Sequence, residues 1–180
     1  MEIGPKKKKI LTSWISAMQN YFNFAGRASR YDFWAFMFVN LLLFLLWLGG
    51  VNLLKLNRIF WYVFLLYVSL PLFSITVRRL HDINLSGTWA LPALSLVVLS
   101  ITDWEFAFFN MAIWLYLALA YNTFLLWLLG REGNRYGNKY GPYIMEKNGK
   151  RTQLFLQHFN NGFLVGVWVA FFIYLFMLRA

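Results

Sequence analysis

Arginine residues are concentrated where long apolar runs of this sequence begin or end. Five of them flank such runs: Arg27, Arg30, Arg78, Arg79 and Arg135. A guanidinium group presents several N–H donors in one plane and binds phosphate oxygens in pairs. If the apolar runs are helices, some of these arginines also lie beside helix N-termini, whose free N–H groups favour anions. The pattern therefore indicates a site for phosphate or for a lipid head group.

Polar side chains close to these arginines complete the candidate anion site. The full set is Arg27, Arg30, Arg78, Arg79, His81, Asp82, Ser86, Asn134 and Arg135. Ser29 and Asp32 have the spacing of a capping box, with Ser29 as the N-cap and Asp32 as the third helical residue. Ser86 or Thr88 could cap a later helix in the same way. Two helix N-termini would then open towards the arginines.

The same arginines also have a purely structural interpretation. Cations next to apolar helices fix the helix ends, extend towards the membrane interface and pair with nearby carboxylates. The available carboxylates are Asp32, Asp82 and Glu132. Both interpretations, a ligand site and a set of structural ion pairs, are open from the sequence.

His81 and Asp82 suggest acid–base chemistry, since a carboxylate can orient an imidazole for proton transfer. Adjacent residues rarely face each other on a helix, however, and Ser86 lacks the surroundings of a serine-hydrolase nucleophile. We therefore expect His81 to bind a loop carbonyl instead. The chain has two histidines and no cysteine, so it offers no set of zinc ligands. We expect neither a metal nor a cofactor.

The composition indicates that membrane helices position these residues. The chain is 60% apolar and 13% charged, whereas a soluble domain is about 45–50% apolar and about 25% charged. Five apolar runs are long enough, or nearly long enough, to cross a bilayer: residues 33–54, 59–77, 85–101, 106–129 and 162–178. We predict an all-α, polytopic transmembrane helical bundle of four or five spans. The runs 85–101 and 162–178 are short, so whether they cross completely is open.

Two polar segments complete the predicted organisation. Residues 1–32 form an N-terminal cytoplasmic segment, with the polybasic run Lys6–Lys9 ahead of an amphipathic helix. The apolar residues of that helix recur at helical spacing: Ile10, Leu11, Trp14, Ile15 and Met18. Such a helix either lies in the membrane interface or packs on its own protein. Residues 130–161 form a cytoplasmic loop.

The apolar runs contain a few polar residues, none of which ionises. They are Asn40, Asn52, Ser69, Ser74, Asn110, Asn122 and Thr123. A coupled transporter normally keeps an ionisable residue within a span, so this pattern disfavours coupled transport. We expect these side chains to form hydrogen bonds across helices.

Three polar stretches, interleaved with four apolar runs, carry a resemblance to a known family. They are Phe22–Trp34, Arg78–Trp89 with its Arg-Arg-Leu-His-Asp sequence, and Gly130–Gly137. Between about Tyr21 and Gly141 the chain resembles domain-of-unknown-function family 805, the YhaH-like bacterial inner-membrane proteins. The resemblance implies an inner-membrane location and a helical membrane core. It implies no activity, because the family has none assigned, and the fifth apolar run extends beyond the family core.

The sequence favours a non-enzymatic inner-membrane protein whose cytoplasmic arginine cluster binds anionic lipid head groups, phosphate or a partner protein. One alternative is a small transporter or channel, which would be a homo-oligomer since so few helices barely enclose a path. Another is an enzyme acting on a lipid phosphate. That enzyme would use Arg27, Arg30, Arg79 and Arg135 as a clamp and His81 as acid and base. We expect no nucleic acid partner, because the basic runs adjoin membrane helices and no reading module is recognisable.

The distribution of charge predicts the topology. With five crossings and a cytoplasmic N-terminus, fourteen Lys and Arg residues lie inside and three lie outside, namely Lys55, Arg58 and Arg179. A topology reporter fused after Ala180 should therefore report an external position. A cytoplasmic signal from that reporter would exclude the fifth crossing.

Overall fold

The computed structural model describes residues 9–57, 59–95 and 108–144, and this part of the chain is all-helical. Its elements are α1 (Ile10–Gln19), α2 (Arg30–Leu53), α3 (Ile59–Asp82), a 3₁₀ helix (Gly87–Leu94) and α4 (Phe108–Leu129). A polar loop, residues 130–142, follows α4 and contains the isolated bridge between Asn138 and Gly141. The predicted fifth run and the lysines before Lys9 lie outside the described residues.

The start of α2 is set by the predicted capping box. Ser29 is the N-cap, and its side chain accepts a hydrogen bond from the Asp32 N–H at 3.1 Å. The Ser29 hydroxyl also donates to the Asp32 carboxylate at 2.7 Å. The predicted positions of Ser29 as N-cap and Asp32 as third helical residue are confirmed. Because the cap precedes the apolar run, α2 begins three residues before the predicted Phe33.

Two residues beyond the ends of α2 and α3, the chain has a residue with left-handed backbone conformation. These residues are Lys55, with φ of 49°, and Asn84, with φ of 63°. After α3, Leu85 N–H donates to Leu80 O at 2.9 Å and Asn84 N–H donates to His81 O at 3.1 Å. This is the Schellman pattern, which satisfies the last carbonyls of a helix. The helix thus continues five residues beyond the predicted Val77 and carries four polar residues on its last turns.

The third apolar run begins as a 3₁₀ helix. Ser86 is its N-cap and accepts a hydrogen bond from the Thr88 N–H at 3.4 Å. Of the two predicted caps, Ser86 and Thr88, it is therefore Ser86 that begins the helix. The 3₁₀ helix covers Gly87–Leu94, and residues 96–107 lie outside the described part. Whether the third run crosses a membrane therefore stays a prediction.

Two of the described helices are long and apolar enough to cross a bilayer. They are α2, with a mean hydropathy of 2.1, and the Tyr62–Asp82 part of α3, with 1.5. Tyr116–Leu129 in α4 is a shorter apolar segment. An arrangement of four or five spans stays a prediction.

Helix α1 divides its apolar residues between the protein and the outside. It buries the small residues Ser13 and Ala17, while Trp14 and Met18 pack against the core formed by α2, α3 and α4. The remaining three, Ile10, Leu11 and Ile15, are 46%, 59% and 41% exposed. The helix thus packs on α2 with one side and presents an apolar side outward, and its place in the membrane interface stays a prediction.

Most of the polar residues inside the helices bond to their own helix. Each of five side chains donates to a carbonyl three or four residues earlier: Asn40, Asn52, Ser69, Asn122 and Thr123. The prediction of bonds across helices is wrong for these five, because the preceding carbonyl is always within reach of a short polar side chain. Ser74 differs, since its hydroxyl contacts the carbonyls of Asn20 and Asn23 at 2.9 Å and 2.7 Å.

Candidate functional site

A single buried carboxylate lies at the centre of the candidate site. Asp82 is the last residue of α3, and its side chain is 5% exposed. Its Oδ1 accepts a hydrogen bond from Arg27 Nε at 2.8 Å, and Arg27 Nη2 lies 2.7 Å from the same oxygen. Its Oδ2 accepts from Arg79 Nη1. Both arginine side chains are buried, and we call these three residues the Arg–Asp–Arg cluster.

The remaining donors of Arg27 bind the polar loop. Nη2 donates to Asn134 O at 2.7 Å, and Nη1 donates to Tyr136 O at 2.9 Å. Nη1 makes longer contacts with the carbonyls of Pro142 at 3.2 Å and Gly141 at 3.4 Å. One guanidinium group therefore organises both halves of a loop that is more than a hundred residues away in sequence.

The donors of Arg79 cap the end of α4. Nε donates to Leu129 O at 2.9 Å, and Nη2 donates to Arg131 O. These are carbonyls at or just beyond the helix C-terminus, which have no partner within the helix. A cation there also interacts favourably with the negative end of the helix dipole. Arg79 thus joins the end of α3 to the end of α4.

His81 is held between two loops. Its Nδ1 lies 3.0 Å from Gly26 O, which confirms the expected bond to a loop carbonyl. Its ring stacks on Tyr140, with centroids 3.8 Å apart and planes 5° apart. The Lys139 ammonium lies 4.9 Å from the centre of the Tyr140 ring. Asn138 Nδ2 donates to His81 O at 2.8 Å, so the loop also caps the end of α3.

Gly133 is required by the close approach of the polar loop to Asp82. A Cβ placed on Gly133 would overlap the Asp82 Oδ2 and lie 2.7 Å from its Cγ. No side chain fits at this position while the carboxylate keeps its place. The neighbouring Asn134 N–H donates to Asp82 O at 2.8 Å, which keeps the loop at this distance.

The structure brings five residues of the predicted site together and places four elsewhere. The five are Arg27, Arg79, His81, Asp82 and Asn134. Of the others, Ser86 caps the 3₁₀ helix, and Arg135 is exposed and pairs with Glu132 at 3.4 Å. Arg30 is buried, with Nη1 3.5 Å from Gly130 O. The Arg78 carbonyl accepts a hydrogen bond from the Ala28 N–H at 2.9 Å.

Three residues of the site were not predicted from the sequence: Gly133, Asn138 and Tyr140. Their residue types are ordinary for a polar loop. Gly133 could be noticed only as a glycine between polar residues, because its need for close approach depends on Asp82, which is distant in sequence. No spacing rule connects these residues to α3.

The cluster is internally satisfied. Arg27 and Arg79 direct their donors to one carboxylate and to backbone carbonyls, and no group of three potential metal-binding side chains occurs in the part of the chain described. The predicted ion pairs with Asp82 and Glu132 are confirmed. The Arg–Asp–Arg cluster therefore joins α3, α4 and two loops.

Replacing Asp82 with Asn should destabilise the protein strongly. The variant keeps the shape of the side chain but leaves two buried guanidinium groups without a counter-charge, which costs about 3–5 kcal/mol. We expect the thermal midpoint in detergent to fall by about 10 °C. Glu132→Gln is the control, since its ion pair is exposed and contributes about 0–1 kcal/mol. Equal shifts in the two variants would contradict a structural role for the cluster.

Replacing Gly133 with Ala should also destabilise the protein strongly, because the new Cβ would overlap the Asp82 carboxylate. The added methyl group forces Asp82 away from both arginines, so the midpoint should fall by a comparable amount. At Gly137 the nearest atoms to a new Cβ are 3.7 Å and 3.8 Å away, so Gly137→Ala should change little. Gly133→Ala combined with Asp82→Asn should be less than additive, because both act on one contact. Full additivity would show that Gly133 acts elsewhere.

Comparison with known proteins gives this geometry a family. The family described as a protein of unknown function, DUF805, matches residues 21–142, which include the cluster and the polar loop. The Escherichia coli inner membrane protein YhaI is 34% identical over 83 residues, covering 43% of this chain and 67% of YhaI. The inner membrane protein YhaH of the same organism is 33% identical over 89 residues, covering 43% and 69%.

A third relative, the uncharacterized protein YiiR of Escherichia coli, is 36% identical over 94 residues, which are 50% of this chain and 62% of YiiR. No solved structure matches the chain. The family match covers more than half of the chain. Two of the three relatives are named inner membrane proteins. With its long apolar helices, this chain is a membrane protein that belongs to the DUF805 family.

Proposed function

We propose that this chain is a non-enzymatic inner-membrane protein whose polar loop faces the cytoplasm and binds anionic phospholipid head groups. The observation that carries the proposal is the exposure of three cations on the polar loop. Arg131, Arg135 and Lys139 are exposed, whereas the two arginines of the Arg–Asp–Arg cluster are buried. The cations of the cluster, which precede α2 or belong to α3, are thus turned inward, whereas those of the polar loop are turned outward.

The outward cations are held in place by their neighbours. The Arg131 guanidinium lies 4.4 Å from the centre of the Trp127 ring, and Lys139 lies over Tyr140. A cation over an aromatic face keeps its charge and most of its N–H donors. The polar loop itself is fixed by the cluster. Arg131 and Lys139 are therefore supported by aromatic rings, and with Arg135 they form a positive surface on which Glu132 is the one carboxylate of residues 130–142.

The position of this surface in the fold supports the proposal. The polar loop follows directly after α4 and contacts the end of α3, so it adjoins the ends of two apolar helices. Each Lys or Arg near an anionic leaflet contributes about 1 kcal/mol of attraction. The Glu132–Arg135 pair is exposed and weak, so Arg135 can exchange its partner for a phosphate at little cost. The positive-inside distribution of the sequence supports the cytoplasmic orientation.

The surroundings of His81 and Ser86 favour a binding protein over an enzyme. His81 is engaged through Nδ1 and through ring stacking, and its backbone carbonyl accepts from Asn138. The Ser86 hydroxyl accepts hydrogen bonds from the Thr88 backbone and side chain. Both residues thus have structural partners that explain their positions.

The full chain in mixed micelles should retain phosphatidylglycerol in preference to phosphatidylethanolamine, as counted by native mass spectrometry. Added salt should weaken this preference, because exposed charges are screened. Simultaneous replacement of Arg131, Arg135 and Lys139 with Gln should abolish it. Lys55→Gln, at the opposite end of α2, should leave it unchanged. A wild-type chain without lipid preference would overturn the proposal and would direct attention to a protein partner.

A further inference from the structure

A cavity of about 830 Å³ lies beside the Arg–Asp–Arg cluster and is separate from it. It is an open cavity, lined by residues just beyond α3, the 3₁₀ helix, the last turns of α4, the first residues of the polar loop and the first residue of α2. Small-molecule sites usually have volumes of about 300–1,000 Å³. The cavity is therefore large enough for a lipid head group and the beginning of its chains.

One wall of the cavity is aromatic and uncovered. Trp89, Phe124 and Trp127 line it and are 43%, 44% and 42% exposed. The Tyr121 hydroxyl donates to Trp89 O, which joins α4 to the 3₁₀ helix and fixes the spacing of the wall. Indole side chains at the end of a membrane helix favour the boundary between head groups and acyl chains. This wall suits the glycerol and upper chain region of a lipid.

The polar side of the cavity is cationic. Arg131 lines it and, among the described residues, makes no ion pair. Its guanidinium carbon lies 4.4 Å from the centre of the Trp127 ring, a contact that leaves its N–H donors available. Arg30 contributes a second positive charge from the base of the cavity, and Glu132 contributes one negative charge. The lining therefore carries a net charge of about +1, which matches a single phosphodiester.

We infer that this cavity binds one phospholipid molecule, with its phosphodiester at Arg131 and the upper part of its chains along Trp89, Phe124 and Trp127. This inference rests on the proposed function, which places this end of the helices at the lipid head groups. It adds a defined single site to what would otherwise be a diffuse electrostatic attraction. The residues involved lie outside the internally paired Arg–Asp–Arg cluster.

Titration of the full-length chain with phosphatidylglycerol, followed by native mass spectrometry, tests the site. Arg131→Gln should weaken the tightest lipid at least about tenfold, because it removes the charged donor at the phosphate. Arg135→Gln removes the same charge from the same loop but does not line the cavity, so it should weaken that lipid about twofold at most. The thermal midpoint of each variant shows whether the fold is intact.

The aromatic wall is tested with a matched pair of tryptophan variants. Trp89→Ala should weaken phosphatidylglycerol binding about fivefold but leave binding of sn-glycerol 1-phosphate, which has no chains, unchanged. Trp114 is also exposed but lies thirteen residues before Trp127 on α4, about 20 Å along the helix. Trp114→Ala should therefore have no effect. Competition by glycerol phosphate as strong as that by the lipid would overturn the inference in favour of a soluble phosphate.

The outcomes separate this inference from the proposed function. Equal losses in Arg131→Gln and Arg135→Gln, with phosphatidylglycerol still preferred, overturn the cavity site and leave the proposed function intact. Equal binding of phosphatidylglycerol and phosphatidylethanolamine, both lost in Arg131→Gln, supports a phosphodiester site and overturns the anionic preference. Equal effects of Trp89→Ala and Trp114→Ala on lipid binding overturn the placement of the chains.

Discussion

Two buried guanidinium groups share one buried carboxylate, and the described fold is organised around that contact. Moving a charge out of water is costly, so a buried ion is tolerated only when other groups compensate it. Asp82 compensates part of the charge of Arg27 and Arg79. Backbone carbonyls must take the remaining donors, and they come from the end of α4 and from the polar loop. The electrostatic requirement therefore determines where these segments lie.

The same contacts satisfy helix ends that would otherwise lack partners. The last carbonyls of α3 accept from the polar loop, and those of α4 accept from Arg79. In a soluble protein, water could bind these groups, but near the apolar part of a bilayer each unsatisfied group costs several kcal/mol. Arg79 thus completes the end of α4, and amide groups of the polar loop complete the end of α3.

This arrangement divides the arginines by role. Those of the cluster are saturated by protein atoms, while Arg131 and Arg135 on the polar loop remain accessible. A rigid loop is a better support for binding than a mobile one, because less conformational freedom is lost when a ligand binds. In the proposed function, the buried cluster positions the loop and the outer cations contact lipid. The cluster then affects binding through geometry, without touching the ligand.

Local features were accessible from the sequence because they depend on neighbouring residues. The capping box at Ser29, the apolar runs of α2 and α3, and the loop-binding role of His81 follow from spacing and hydrophobicity. The expected bonds across helices were wrong, since a nearby carbonyl outcompetes a distant partner.

By itself the sequence determined the helices, their caps and the family, because these depend on short-range order and composition. Only the tertiary structure decided that Arg27 and Arg79 share Asp82, that Gly133 must lack a side chain, and that Arg131 lines a cavity. Most of those facts join residues far apart in the chain, since Arg27 and Gly133 lie more than fifty positions from Asp82. Their partners are set by how the helices pack, and residue spacing carries no record of that packing.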